Sequence, residues 1–130
     1  MRAALAVVSG LLVGTSSLAA HHSFTAEYDV NLPVTVFGTV AKIDWQNPHV
    51  YVYVDAKDDQ GRVAQWKFAG YPPNVLVRQG WKRDITMKVG DTVTVTGWRA
   101  HLDPHQGAAR EVTFADGKTL MAGSQAEFKN

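Results

Sequence analysis

The chain has 130 residues and no cysteine, with 13 Lys and Arg against 12 Asp and Glu. Without thiols there is no disulfide framework, no thiolate metal site and no cysteine for a lipid anchor. A formal charge of +1 gives no basic surface for a phosphate backbone or an anionic membrane, so nucleic acid is not an expected partner.

Residues 1–20 read as a secretory signal peptide. Arg2 precedes the apolar run Ala3–Val13, broken only by Ser9 and Gly10, and Gly14, Thr15, Ser16 and Ser17 lead to Ala19-Ala20. That is the charged, apolar and small-residue layout of an exported chain, and its apolar stretch is too short to span a bilayer comfortably. The expected location is periplasmic or secreted, with no stable membrane anchor. Cleavage after Ala19 puts small residues, Ser17 and Ala19, at both recognition positions and starts the mature chain at Ala20; cleavage after Ala20 starts it at His21. Either cut removes Arg2 and no acid, leaving a mature chain of balanced charge.

The rest reads as one domain over residues 21–123, with a tail at 21–32 and a frayed C-terminus at 124–130. A chain of this length buries roughly 60–70% of its unfolded surface, enough to stand without disulfides. Val34–Trp45 is a long β run whose apolar set changes face near Gly38, which suggests a bulge or bend at the glycine. Gln46-Asn47-Pro48 is a turn, and His49–Asp55 alternates with Val50, Val52 and Val54 on one face and Tyr51 and Tyr53 on the other. After the turn at Asp58-Asp59-Gln60-Gly61, Val63–Ala69 forms a third strand with Ala64, Trp66 and Phe68 on one face, and Trp66 is the clearest core tryptophan.

Pro72-Pro73, then Asn74–Gln79 and Gly80, predict a short helix with proline near its start and glycine past its end. Thr92–Trp98 and Ala109–Ala115 are strands four and five, and Asp116-Gly117 turns into a short tail strand at Lys118–Met121. Three strands, a short helix and two strands, the first long and bent, is the order of an all-β, five-stranded OB-like Greek-key barrel. A small β-sandwich is the alternative.

The histidines carry the chemistry. A mature chain starting at Ala20 or His21 sets His21 and His22 beside a free amine, and amine, deprotonated amide and imidazole nitrogens suit Cu(II) or Ni(II). Copper is therefore the expected cofactor, if there is one. His49 follows the strand 1–2 turn, while His101, Asp103 and His105 lie in the strand 4–5 loop. An OB barrel places those loops at one end, so His49 is a further candidate ligand and His101, Asp103 and His105 weaker ones. From His22 to Pro33 the chain spans about 36 Å when extended at ~3.3 Å per residue, enough for the tail to double back to His49. The simpler reading makes His101 and His105 solvated loop residues and gives His49 a hydrogen bond to its turn.

A second candidate surface is the outer face of strands 2 and 3. There Tyr51, Tyr53, Gln65 and Lys67 form an aromatic and polar patch suited to a sugar, a peptide or a protein partner. Outward tyrosines also fit a strand with no ligand. The sequence has no Gly-x-Ser-x-Gly turn, phosphate-cradling glycine loop or His-Glu-x-x-His pair, so it reads as a binding protein rather than an enzyme.

Four segments resemble a family of small exported bacterial proteins classed as a domain of unknown function: His21-His22-Ser23-Phe24, Trp45-Gln46-Asn47-Pro48-His49-Val50, Gly70-Tyr71-Pro72-Pro73-Asn74 and Gly80-Trp81-Lys82-Arg83-Asp84. The resemblance runs from His21 to about Met121. It implies export and a compact β domain, draws attention to His21, His22 and His49, and brings no established activity.

Overall fold

A computed structural model describes residues 24–123, so the expected leader, His21, His22 and the segment 124–130 expected to fray lie outside the described residues. The strands are β1 (Tyr28–Asp44), β2 (Tyr51–Lys57), β3 (Val63–Ala69), β4 (Thr92–Ala100), β5 (Gln106–Phe114) and β6 (Thr119–Met121), with the helix α1 (Pro73–Arg78) between β3 and β4. Their order in the sheet is β3-β2-β1-β4-β5-β6, and β3 also pairs with β5. That last pairing is parallel, through Lys67↔Gln106, Phe68↔Gly107 and Ala69↔Ala108. It closes β1 to β5 into an OB-like barrel, with β6 added on the edge of β5. One sheet closed on itself replaces the two-layer sandwich alternative.

The barrel interior follows from alternation. Val52, Val54 and Ala56 of β2, with Val50 just before it, point inward and are buried, while Tyr51, Tyr53 and Asp55 point outward. Phe68, Val54 and Val95 are completely buried. The space left inside is a cavity of about 20 Å³, room for about one water. The barrel is a packed core and not a ligand chamber.

Two features of β1 differ from expectation. The strand begins at Tyr28 and not Val34, so the expected tail is strand from Tyr28 onward. It has a partner because β4 continues past Trp98 to Ala100: Tyr28 pairs with Ala100 and Pro33 with Trp98, with irregular register between. The face change also lies later than Gly38. Val40 opposes Val54 and Lys42 opposes Tyr53, which leaves Ala41 as the extra residue of a bulge. Gly38 serves a close approach instead, because a Cβ there would collide with the Asp55 carbonyl and the Val54 side chain.

One end of the barrel is closed by α1 and the segment after it. Pro73 occupies the first turn, where its missing N–H costs nothing. The helix ends in a Schellman motif: Gly80, at φ 95°, donates its N–H to Val77 O at 3.1 Å, and Trp81 N–H reaches Leu76 O at 3.0 Å. That cap turns Trp81 into the core beside Leu76 and Met87, all buried. Its indole Nε1–H donates to Met121 O at 2.8 Å, and its ring lies 5.8 Å from that of Phe114. The best-buried tryptophan is therefore Trp81 and not Trp66, which lies at the opposite, open mouth and is only half-buried. Among the described residues no helix is long and apolar enough to cross a membrane.

Candidate functional site

Residues 24–27 form one helical turn that leads into β1 on the outside of the barrel. Where β3, β4 and β5 meet, the outward residues are small: Ala69, Ala100 and Ala108. Tyr28, Phe24, Trp98 and Tyr51 cover these alanines as a second apolar cluster. The Phe24 ring centre lies 4.9 Å from that of Tyr28, and its edge meets Trp98 at 6.5 Å. Burial, and after it the charge of Glu27, pushes the Tyr28 hydroxyl well above the ordinary phenol range.

His101 fastens this strap. Its backbone N–H donates to Glu27 O at 3.0 Å, and its ring Nε2–H donates to Thr25 O at 2.9 Å. Nδ1 then faces Asp29 Oδ2 at 4.0 Å. The other Asp29 oxygen accepts the Asn31 N–H at 2.9 Å.

The remaining candidates sit elsewhere. His49 Nδ1–H donates to Gly70 O at 2.9 Å, a partner just beyond β3 and not in its own turn; the Asn47–Pro48 peptide of that turn is cis. Its ring meets the edge of Tyr51 at 6.2 Å. Asp103 accepts the His105 N–H at 2.8 Å and shapes the β4–β5 loop. The His105 ring lies edge-on to Trp66 at 5.4 Å, and Trp66 stacks on Phe68 at 5.5 Å. The expected convergence of His49, His101, Asp103 and His105 is not what the structure shows, because each imidazole answers to a different neighbour. Among the described residues no group of three or more His, Asp or Glu is placed to hold a metal ion.

On the outer face of β2 and β3 the four expected residues do come together, already paired. Lys67 Nζ sits 4.3 Å from the Tyr51 ring centre and 6.0 Å from that of Tyr53. Lys42 Nζ lies 5.2 Å from the Tyr53 ring and 3.2 Å from Asp44 Oδ2. Gln65 Nε2 donates to Asp55 Oδ1 at 3.0 Å. A ring stacking on these tyrosines has to displace an ammonium group first.

The open mouth of the barrel holds a groove of about 850 Å³, lined in part by Phe37, Val63, Trp66 and His105. It opens because β1 pairs with β2 only from Thr39 onward. Asp58 at its rim accepts the N–H groups of Arg62 and Gln60 and the Arg62 guanidinium. The Arg62 N–H foremost, with these other donors, holds its carboxyl below the usual range.

Sequence reasoning missed Asp29 and the hold of His101 on the chain before β1. Phe24 and Tyr28 are the visible trace, two aromatics ahead of a strand, and their target is three alanines without periodic signature. Of the quoted segments, Pro72-Pro73-Asn74 and Gly80-Trp81 resolve into the start and cap of the plug helix. Residues 8–109 match a family of unknown function, DUF6152. No curated protein matches the chain.

Proposed function

The chain belongs to that family of unknown function, matched over residues 8–109, and from this premise we propose that it is an exported metal-binding protein that holds Cu(II) at its processed N-terminus. The α-amine and the imidazoles of His21 and His22 are the proposed ligands. The observation that supports this reading is the strap. Thr25 and Glu27 are tied to His101, and Tyr28 and Phe24 are packed on the barrel, so the chain just before them starts from a fixed point. His22 precedes Thr25 by three residues, which keeps its Cα within about 11 Å of the Thr25 Cα. Among the described residues the barrel interior has room for about one water, and Lys67 and Lys42 lie over the tyrosine face. His49 keeps Nε2 for a ligand once Nδ1–H is given to Gly70 O, and His49→Ala reports on that contribution.

Copper retained through a desalting column by the processed protein tests the reading. One Cu(II) per chain is expected, with affinity falling below about pH 6 as imidazoles take up protons. Replacing both His21 and His22 with Ala, or leaving the leader uncut, is expected to release the metal. A processed protein that retains no copper, or retains it equally without both histidines, overturns the proposal.

A further inference from the structure

The open end of the barrel carries an arginine that packing alone does not explain. Along β4, Val93, Val95 and Gly97 face the interior, while Trp98 and Ala100 join the outer alanine cluster. Arg99 therefore returns to the inward side, at the last inward position before the β4–β5 loop. Its cross-strand partner fixes that face, because a Cβ on Gly107 would meet the buried Phe68 ring. Arg99 is half-buried, and its Nε is fully buried with no hydrogen-bond partner among the described residues. No carboxylate among the described residues pairs with it. The acids around the mouth are committed elsewhere: Asp58 to Arg62, Asp55 to Gln65 and Asp103 to the His105 N–H. A guanidinium drawn partly out of water without a counter-charge is costly, and a bound anion offsets that cost.

Two more donors belong to the same end. His105, two residues before Gly107, meets Trp66 edge-on at 5.4 Å, and both line the mouth groove. Neither the imidazole nor the indole N–H has a hydrogen-bond partner among the described residues. Phe37 and Val63, 67% and 65% exposed, add apolar wall to that groove. We propose that the barrel mouth binds a monocarboxylate with an apolar body, its carboxylate held by the Arg99 guanidinium and its body laid in the groove beside Trp66. This site is independent of the copper reading above. The planar fork of a guanidinium matches the two oxygens of a carboxylate, and the apolar walls take a hydrocarbon or aromatic group. Asp55 and Asp58 line the same groove and repel a dianion such as phosphate more strongly than a single negative charge.

The test is a titration with hydrocinnamate, followed by amide and indole NMR shifts, beside its uncharged amide and inorganic phosphate. A Kd of about 1–10 mM is expected for so small a ligand. The shifts should centre on His105, Gly107 and the Trp66 indole, the last assigned with Trp66→Phe. The amide and phosphate are expected to bind roughly tenfold more weakly or worse, and Arg99→Gln should remove the preference for carboxylate over amide. If Arg99→Gln does not fold, the wild-type comparison of carboxylate with amide decides alone. Equal binding of carboxylate and amide, shifts confined to another face, no binding at all, or a preference unchanged in Arg99→Gln overturns the site and leaves Arg99 as a cover over the core. Phosphate bound as tightly as hydrocinnamate overturns the monocarboxylate.

Discussion

The plug and the strap both cover the barrel, by opposite means. The plug drives Leu76, Trp81 and Met87 into the interior and is locked by a helix cap and one indole hydrogen bond. The strap lies on the outside over three alanines, leaves Val30 and Leu32 more than a third exposed, and is fastened through His101. A buried apolar plug serves stability. A surface segment held by a few polar bonds and one aromatic cluster opens at lower cost, and this is the kind of element a ligand can order.

Predictions that divide the two regions start with the plug. Trp81→Ala is expected to cost about 3–5 kcal/mol in urea unfolding, since a large buried ring leaves a cavity; a cost below about 1 kcal/mol would place the plug outside the cooperative core. Phe24→Ala, at a half-buried position of the strap, is expected to cost about 1–2 kcal/mol. Amide exchange should then quicken around Glu27 and His101 while Phe68 and Val95 stay protected, and uniform loss of protection would erase the distinction between the regions.

The strap also responds to alkali. The folded pKa of Tyr28 lies above its unfolded value of about 10, so the folded state keeps a proton that the unfolded state gives up. Stability is therefore complete below about pH 10 and falls as pH rises from there toward the folded value. Tyr28→Phe should flatten that decline, and an unchanged alkaline slope would show that Tyr28 is not the group responsible. The smallest effect belongs to the outer face, where Lys67→Ala should cost about 0.5–1 kcal/mol for the lost cation–π contact. If the same change creates binding of an aromatic sugar or peptide, the tyrosines are a covered platform; if it does not, they are strand surface.

The fold was legible where side chains alternate. Val50, Val52 and Val54 against Tyr51 and Tyr53 announce a half-buried strand, and Pro73 and Gly80 bracket the plug helix within one residue. It was not legible where the partner is featureless. Val30 and Leu32 stay exposed, so the first residues of β1 show no inward face, and the alanines beneath the strap carry no pattern. Gly38 drew the bulge to itself because glycine is the stronger signal, yet its role is clearance for the Asp55 carbonyl. The candidate site was legible as histidines but not as geometry. Loop position says which end of a barrel a histidine occupies, whereas the direction of its ring depends on the carbonyl that takes its N–H, Gly70 for His49 and Thr25 for His101. Asp29 and His101 are far apart in the chain, and no spacing rule joins them.

Native mass spectrometry of the protein recovered from the periplasm after growth with copper tests the central claim most directly, because one spectrum reads both processing and metal. The account predicts a chain that has lost residues 1–19 or 1–20 and carries one copper ion. A species that retains Met1, or a processed chain that stays metal-free in copper excess, would contradict it.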